Sequence, residues 1–130
     1  MRPDLPAPVP DPVPDLVPGP VPLPVPVRRH TVSVLALDGL SPFELSSVVE
    51  VFGLPRPELD IPWYDLRVCS TEPGRPLRVV GGFTLTPEHG MDVFATADTV
   101  IVPHMPNVKS EAPVPGEVVD ALRSAHAHGA

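Results

Sequence analysis

The chain has little of several residue types, and each shortage excludes a class of protein. Cys69 is the only cysteine among 130 residues, which excludes an internal disulfide and a zinc site built from several cysteines. No uninterrupted apolar run reaches the about 18 residues of a transmembrane helix, and the N-terminus has no apolar core of a secretory signal. We therefore expect a cytoplasmic protein that has no membrane partner.

Basic residues are also few, because 9 Lys and Arg stand against 16 Asp and Glu, for a net charge of −7. The largest basic cluster is Arg28-Arg29, which is too small to neutralise a series of phosphates. We do not expect this chain to bind nucleic acid by itself. His126 and His128 lie two residues apart, so on a helix they point to different sides and make no metal pair. The sequence predicts no metal site and no cofactor.

Proline, in contrast, is abundant. Its 22 residues far exceed the usual share of about 5%, and half of them fall within residues 1–27. Proline removes a backbone donor and favours an extended polyproline II path. We predict a disordered Pro/Val-rich tail over residues 1–29 and one ordered domain over residues 30–130. The tail is either a ligand for an SH3-like or WW-like partner, or a leader that has no role.

The ordered part alternates between strand and helix patterns. Residues 31–37 form an apolar, β-branched run typical of a strand buried on both faces. A helix is predicted from Ser41, with Pro42 at its first position and Glu44 completing a capping box, to Gly53.

Further strands are predicted at residues 63–70 and 99–102, and a hairpin around Gly81-Gly82. A second helix is predicted over residues 116–128. This order of strands and helices predicts an α/β fold with helices packed on a parallel sheet.

Five phrases, in collinear order, carry a resemblance to a known family. They are VLALDGLSPFELSSVVEVFG (34–53), YDLRVCSTEPG (64–74), GGFTLTPEHGMD (81–92), ADTVIVP (97–103) and ALRSAHAHGA (121–130). Residues 32–130 thereby resemble the front half of a ThiJ/PfpI-type domain, which is class I glutamine amidotransferase-like. The similarity is greatest to the N-terminal domain of AraC-type transcriptional regulators. The resemblance implies a flavodoxin-like three-layer fold of which the N-terminal half is present.

The resemblance also implies what the chain does. In the family, a strand after the last of these helices leads to a sharp turn that carries a nucleophilic Cys. In the regulators, a C-terminal pair of helix-turn-helix motifs binds DNA. Neither part is in this sequence, so we expect a chain truncated before the nucleophile elbow and no enzyme activity. The expected function is the sensory, ligand-binding part of an AraC-family regulator. The alternative is a truncated, inactive relative of the ThiJ/PfpI-type enzymes, isonitrile hydratase-like or protease-like.

The partners that the resemblance implies are a small-molecule effector and a second copy in a homodimer. DNA would be bound only through the missing C-terminal domain. Asp38 and Gly39 are the first pocket candidates, because they follow the first strand at its carboxyl end, where open α/β sheets place their crevices. Glu44 is the third, since the resemblance implies a carboxylate there that approaches the elbow Cys. Glu44 could instead serve only the capping box with Ser41.

Pro103 and His104 complete the set of pocket candidates. Family members commonly have glycine in place of His104, with its backbone N–H facing an oxyanion-type site. Because His104 departs from that pattern, the alternative is an exposed loop histidine. We predict no catalytic residue: Cys69 falls within a strand and has no evident base beside it, which indicates a buried structural thiol.

Overall fold

The structure is a computed structural model that describes residues 6–12, 28–106 and 113–130. Residues 6–12 are exposed and have no helix or strand, and Arg28 and Arg29 are exposed as well. The rest of the predicted disordered tail lies outside the described residues. The predicted domain boundary at residues 29–30 therefore stays a prediction.

The described elements follow one another in an alternating order. They are β1 (Thr31–Leu35), α1 (Pro42–Val48), a π-helical turn (Val49–Gly53), a 3₁₀ turn (Pro57–Leu59), β2 (Asp65–Cys69), β3 (Leu77–Val79), β4 (Phe83–Leu85), α2 (Met91–Ala95), β5 (Thr99–Ile101) and α3 (Gly116–Ala127). Within the described residues, no helix has the length and apolar character needed to cross a membrane.

A parallel three-stranded sheet forms the centre of the fold, in the order β2-β1-β5. In the register of the central strand, Val34 lies opposite Val68 on one side and Ile101 on the other. Val32, Val34 and Leu35 are at most 1% exposed, and Ser33 is buried as well, so β1 is covered on both faces. The predicted buried strand is confirmed.

Alternate residues of β1 face two separate apolar layers. Val34 packs with α1 and the β3–β4 hairpin, in a cluster with Ala36, Leu40, Leu45, Leu77 and Val79. Leu35 faces the other side, where α2 and α3 supply most of the cluster Cys69, Met91, Phe94, Val118 and Ala121. Because a helical layer covers each face of the sheet, the predicted three-layer α/β architecture is confirmed.

The first helix begins where the sequence predicts and changes geometry halfway. Ser41 is its N-cap and Pro42 its first residue, but the Ser41 side chain makes no capping hydrogen bond, so the predicted capping box is wrong in that part. From Val49 the helix continues as a π-helical turn. It ends at Gly53 as predicted, and a Cβ there would lie 2.9 Å from the Leu66 side chain.

The predicted hairpin is confirmed as β3 and β4, which pair antiparallel across Gly81 and Gly82. Both glycines have positive φ, of 110° and 87°, which other residues rarely adopt. The sequence pattern does not predict the short helix α2. This helix has only five residues, which are too few to show a helical period.

Helix α3 matches its prediction closely. Val118, Ala121 and Ala125 are buried, and Gly129 follows the helix with φ 98°. His128 is exposed, and its Nε2 donates to the Ala97 carbonyl oxygen at 2.9 Å. This bond ties the end of α3 to the segment just before β5.

Candidate ligand-binding site

A cavity of about 830 Å³ opens at the carboxyl edge of the parallel sheet. The segments that follow β1, β2 and β5 all contribute to its wall, together with β3 and the residues just before α3. Its lining consists of Ala36, Leu37, Asp38, Thr71, Glu72, Arg75, Pro76, Leu77, Arg78, Met105, Pro106, Pro113, Val114 and Pro115. Open α/β sheets bind their ligands at this edge, so the fold itself indicates a binding site here.

Apolar side chains make up much of the cavity wall. Leu37 and Leu77 come from opposite sides of the sheet, because Leu37 packs with the α2–α3 layer and Leu77 with the α1–hairpin layer. Met105 and Val114 contribute from the segments on either side of residues 107–112. A ligand in this cavity would therefore contact both helical layers at once.

Asp38 and Arg78 form the best-defined polar contact at the cavity. The Arg78 backbone N–H donates to Asp38 Oδ1 at 2.7 Å, and its guanidinium donates to Oδ2 from Nη2 at 2.7 Å and from Nε at 3.1 Å. The Arg78 guanidinium, followed by its backbone N–H, lowers the pKa of Asp38 to about 2. Asp38 is therefore a carboxylate that holds the hairpin against the end of β1.

A second ion pair, between Arg75 and Glu72, lies on the same cavity wall. Both arginines thus have a carboxylate partner, and the two pairs cancel in charge. The sequence alone does not assign Arg75 or Arg78 to the pocket. The only available sequence signal is that Arg75 and Arg78 lie three residues apart around β3. The folded hairpin is needed to bring these two arginines to the ends of the parallel strands.

Gly39 supports this arrangement from the neighbouring turn. Its φ is +82°, and its N–H donates to the Arg78 carbonyl oxygen at 2.8 Å. A Cβ at this position would lie 3.8 Å from Pro106. The backbone conformation, more than the available space, therefore requires glycine here.

Of the five predicted pocket residues, only Asp38 is among the described residues that line the cavity, and Gly39 adjoins it in the chain. Glu44, Pro103 and His104 are each half-buried, and none is among the described residues that line the cavity. Glu44 Oε2 is buried and has no hydrogen-bond partner among the described residues. A hydrogen bond from Ser41 and the charge of nearby His104 are among the causes that keep the pKa of Glu44 below its ordinary value.

Cys69 is the buried structural thiol that the sequence predicts. Its side chain is 0% exposed, and Sγ donates to the Val34 carbonyl oxygen at 3.4 Å. Burial, and to a smaller extent the charge of Asp92, raises the pKa of Cys69 to about 12. A thiol in this environment is a poor nucleophile at neutral pH. Among the residues that the structure describes, no cluster of three or more His, Cys, Asp or Glu could hold a metal ion.

This sheet order and the covering helices are similar to the α/β fold of solved structures that include DJ-1 superfamily proteins. The resemblance drawn from the sequence phrases is confirmed at the level of the fold. No protein-family model and no curated protein matches the chain.

Three solved structures illustrate the similarity. A candidate transcriptional regulator from Vibrio parahaemolyticus has a TM-score of 0.62 at 20% identity, over 78% of this chain and 53% of its own. A mutant DJ-1 superfamily protein from Salmonella typhimurium has a TM-score of 0.58 at 16% identity, over 77% and 51%. DJ-1β from Drosophila melanogaster has a TM-score of 0.55 at 18% identity, over 78% and 52%. The chain thus spans about half the length of each of these structures.

Proposed function

We propose that this chain is the sensory, ligand-binding part of an AraC-type transcriptional regulator whose N-terminal domain is amidotransferase-like. The observation that carries the proposal is the cavity at the carboxyl edge of the sheet, with its apolar wall and its two ion pairs. The fold similarity to a candidate transcriptional regulator supports it. In this proposal, DNA binding belongs to a helix-turn-helix part of the protein beyond residue 130.

The effector is a small amphipathic molecule. The cavity volume of about 830 Å³ lies in the range typical of sites for small organic ligands. Leu37, Leu77 and Met105 provide an apolar surface for the body of the ligand. Because the charges of Asp38–Arg78 and Glu72–Arg75 cancel, the site does not require a ligand of high net charge.

Ligand binding can act on the fold through the two helical layers. Arg78 belongs to the hairpin on one face of the sheet, whereas Val114 precedes α3 on the other face. A ligand that contacts both residues stabilises one relative position of hairpin and helix, by its differential affinity for that arrangement. The signal that ligand binding passes on would be this change in the relative stability of the arrangements of the hairpin and α3.

We also propose that the chain by itself performs no covalent catalysis. Its only cysteine is Cys69, which is buried and has a raised pKa. Turnover of a ThiJ/PfpI-type substrate by the chain, persisting after Cys69 is blocked, would contradict this part of the proposal and favour an enzyme.

A cavity-blocking substitution tests the binding site. Val114→Trp places a large side chain on the cavity wall, at a position that is 44% exposed. The matched control is Val51→Trp in the π-helical turn, which is 54% exposed and does not line the cavity. With anilinonaphthalene sulfonate as the probe, we expect saturable binding to the wild type and to Val51→Trp, and at least about tenfold weaker binding to Val114→Trp. Equal binding to all three chains would place the probe elsewhere and contradict the proposed site.

The regulator assignment has its own test. The nucleotides that follow the codon of Ala130, read in all three frames, should encode the elbow region and a pair of helix-turn-helix motifs. A downstream sequence that encodes neither would contradict the AraC-type assignment, while leaving the ligand site to be judged by the binding experiment.

A further inference from the structure

A group of aromatic rings lies at the amino edge of the parallel sheet, opposite the ligand cavity. His30 and Tyr64 directly precede β1 and β2. The Tyr64 ring is close to perpendicular to each of its three neighbours, with centroid distances of 5.0 Å to Phe52, 5.2 Å to Trp63 and 5.6 Å to His30. We call these four residues the aromatic cluster.

The aromatic cluster lines a second cavity, of about 340 Å³, together with Val32, Pro62 and Thr99. Two perpendicular rings form a corner whose walls are π faces, and the negative potential of such faces attracts cations. Tyr64 is 38% exposed, so a ligand can reach the rings from solvent. The cavity therefore has the aromatic lining that recognises a positively charged group.

The charges around this cavity also favour a cation. Its described lining residues include no Asp, Glu, Lys or Arg, and the net charge of the chain is −7, which attracts cations from solution. The C-terminal end of the first helix lies here as well, since Phe52 belongs to its π-helical last turn, which has no basic residue. A helix C-terminus carries a partial negative charge. The ring faces and the helix end therefore both favour a positive ligand.

The lining also selects the kind of cation. A primary ammonium group has three N–H donors, which need acceptors when they leave water. The side-chain oxygens of the described lining are the hydroxyls of Tyr64 and Thr99, and Thr99 Oγ1 is already hydrogen-bonded to His30 Nε2 at 2.8 Å. A quaternary ammonium group has no N–H, so it loses no hydrogen bond and can place its methyl groups against the rings.

We propose that the cavity at the amino edge binds a small quaternary ammonium ion, held on the π faces of the aromatic cluster. This site is separate from the ligand cavity at the carboxyl edge, because the two have no described lining residue in common. Its volume of about 340 Å³ is at the lower end of the range for small-molecule sites, which limits the ligand to one ammonium group with a short substituent. Binding here does not depend on the proposed regulator function.

Three related compounds test this site on the full chain. They are choline, the neutral alcohol in which a tert-butyl group replaces the trimethylammonium group of choline, and the primary amine ethanolamine. ¹H–¹⁵N NMR follows the indole N–H signal of Trp63, the only tryptophan, with sodium chloride keeping the ionic strength constant. We expect a saturable shift with choline, and at least about tenfold weaker binding of the other two compounds.

A substitution in the aromatic cluster tests whether the rings hold the cation. Phe52→Leu keeps an apolar side chain but removes one π face, and should weaken choline binding at least about threefold. The matched control is Phe83→Leu in the β3–β4 hairpin, because Phe83 is 50% exposed and is not among the described lining residues. It should leave choline binding unchanged. Thermal unfolding checks that both variants are folded, and the comparison of the three compounds on the wild type needs no variant.

Several results would overturn the proposal. Equal affinity for choline and the neutral alcohol would do so, because the cavity would then be only an apolar surface. Ethanolamine that binds as tightly as choline would also contradict it, since hydrogen-bond acceptors rather than ring faces would then hold the cation. A choline shift that is absent at Trp63, or that is larger at Asp38 and Arg78, would place the cation elsewhere. Unchanged choline affinity of a folded Phe52→Leu variant would exclude the aromatic cluster as the site.

Discussion

The Asp38 carboxylate receives both the backbone N–H and the guanidinium of Arg78, at 2.7 Å in each case. These residues are 40 positions apart in the chain. Asp38 follows the central strand β1, and Arg78 lies in the hairpin strand β3, so their contact fixes the hairpin at the edge where the cavity opens. This pair connects the fold of the chain with its proposed ligand site.

Replacement of Asp38 by asparagine should lower the Tm slightly at pH 7, because the Arg78–Asp38 pair is partly exposed to solvent, with side-chain exposures of 82% and 47%. The pKa of Asp38 in the folded chain is about 2, below its ordinary value of 3.8. A lowered folded-state pKa means that the ionised group stabilises the fold above about pH 4, and that this contribution is lost as the pH falls toward 2. Thermal unfolding of both chains from pH 7 to pH 2 should therefore show a Tm difference that shrinks between pH 4 and pH 2.

The control for this experiment is Glu58→Gln. Glu58 is exposed and lies 3.7 Å from Arg56, in a surface ion pair that contributes little to stability. We expect almost no change in Tm at pH 7. A Tm difference for Asp38→Asn that stays constant from pH 7 to pH 2 would show that the Arg78 contact does not depend on the charge of Asp38.

The thiol of Cys69 should be inert in the folded chain. It is fully buried, and its pKa is raised to about 12, so very little thiolate exists at pH 8. Ellman's reagent should react slowly with the native chain and rapidly after denaturation. Rapid reaction of one thiol per chain under native conditions would contradict the buried environment of Cys69.

Phe94→Ala should destabilise the fold by about 3–5 kcal/mol. Phe94, in α2, is 0% exposed and packs in a cluster with residues of α3 and of the sheet, so its truncation leaves a cavity in that core cluster. The matched substitution Phe43→Ala removes the same side chain at a position that is 76% exposed, and should change stability by less than about 0.5 kcal/mol. Denaturant unfolding measures both, and equal effects would contradict the assigned packing.

Gly39→Ala should destabilise the fold by about 1–2 kcal/mol, because Gly39 has a φ of +82° that L-residues avoid. Gly116→Ala is the matched control. Gly116 begins α3 without a positive φ, and a Cβ added there would meet nothing within 4 Å, so alanine should be neutral or stabilise the chain by about 0.5 kcal/mol. Denaturant unfolding that gives both variants the same stability would mean that the turn at Gly39 is not held in this conformation.

The elements that are predictable from the sequence are those with a local signal. The mostly apolar, β-branched run of β1 indicates burial on both faces, and Gly81-Gly82 marks the hairpin turn. Helix α2 is not predictable because five residues are too few to show a period, although Phe94 within it is a central core residue. The π-helical turn is not predictable either, since its sequence continues the apolar pattern of α1.

The site is predictable only in part, for a related reason. Asp38 and Gly39 follow directly from the end of β1, where the fold class places ligands. Arg75 and Arg78 reach the same edge only because the hairpin folds back on the strand ends, and no local pattern encodes that contact. Glu44, Pro103 and His104 rest on the family resemblance, and the structure sets them apart from the cavity wall.

The most direct test of the central claim is a fragment screen of the full chain by ¹H–¹⁵N NMR. The fragments are single-ring molecules that carry one amide, hydroxyl or carboxylate group, matched to a cavity with an apolar wall and paired charges. We predict that at least one fragment binds saturably and shifts the backbone amides of Asp38, Thr71 and Arg78 most strongly. Absence of saturable binding, or shifts confined to other surfaces such as the surroundings of Trp63, would contradict a ligand site at the carboxyl edge of the sheet.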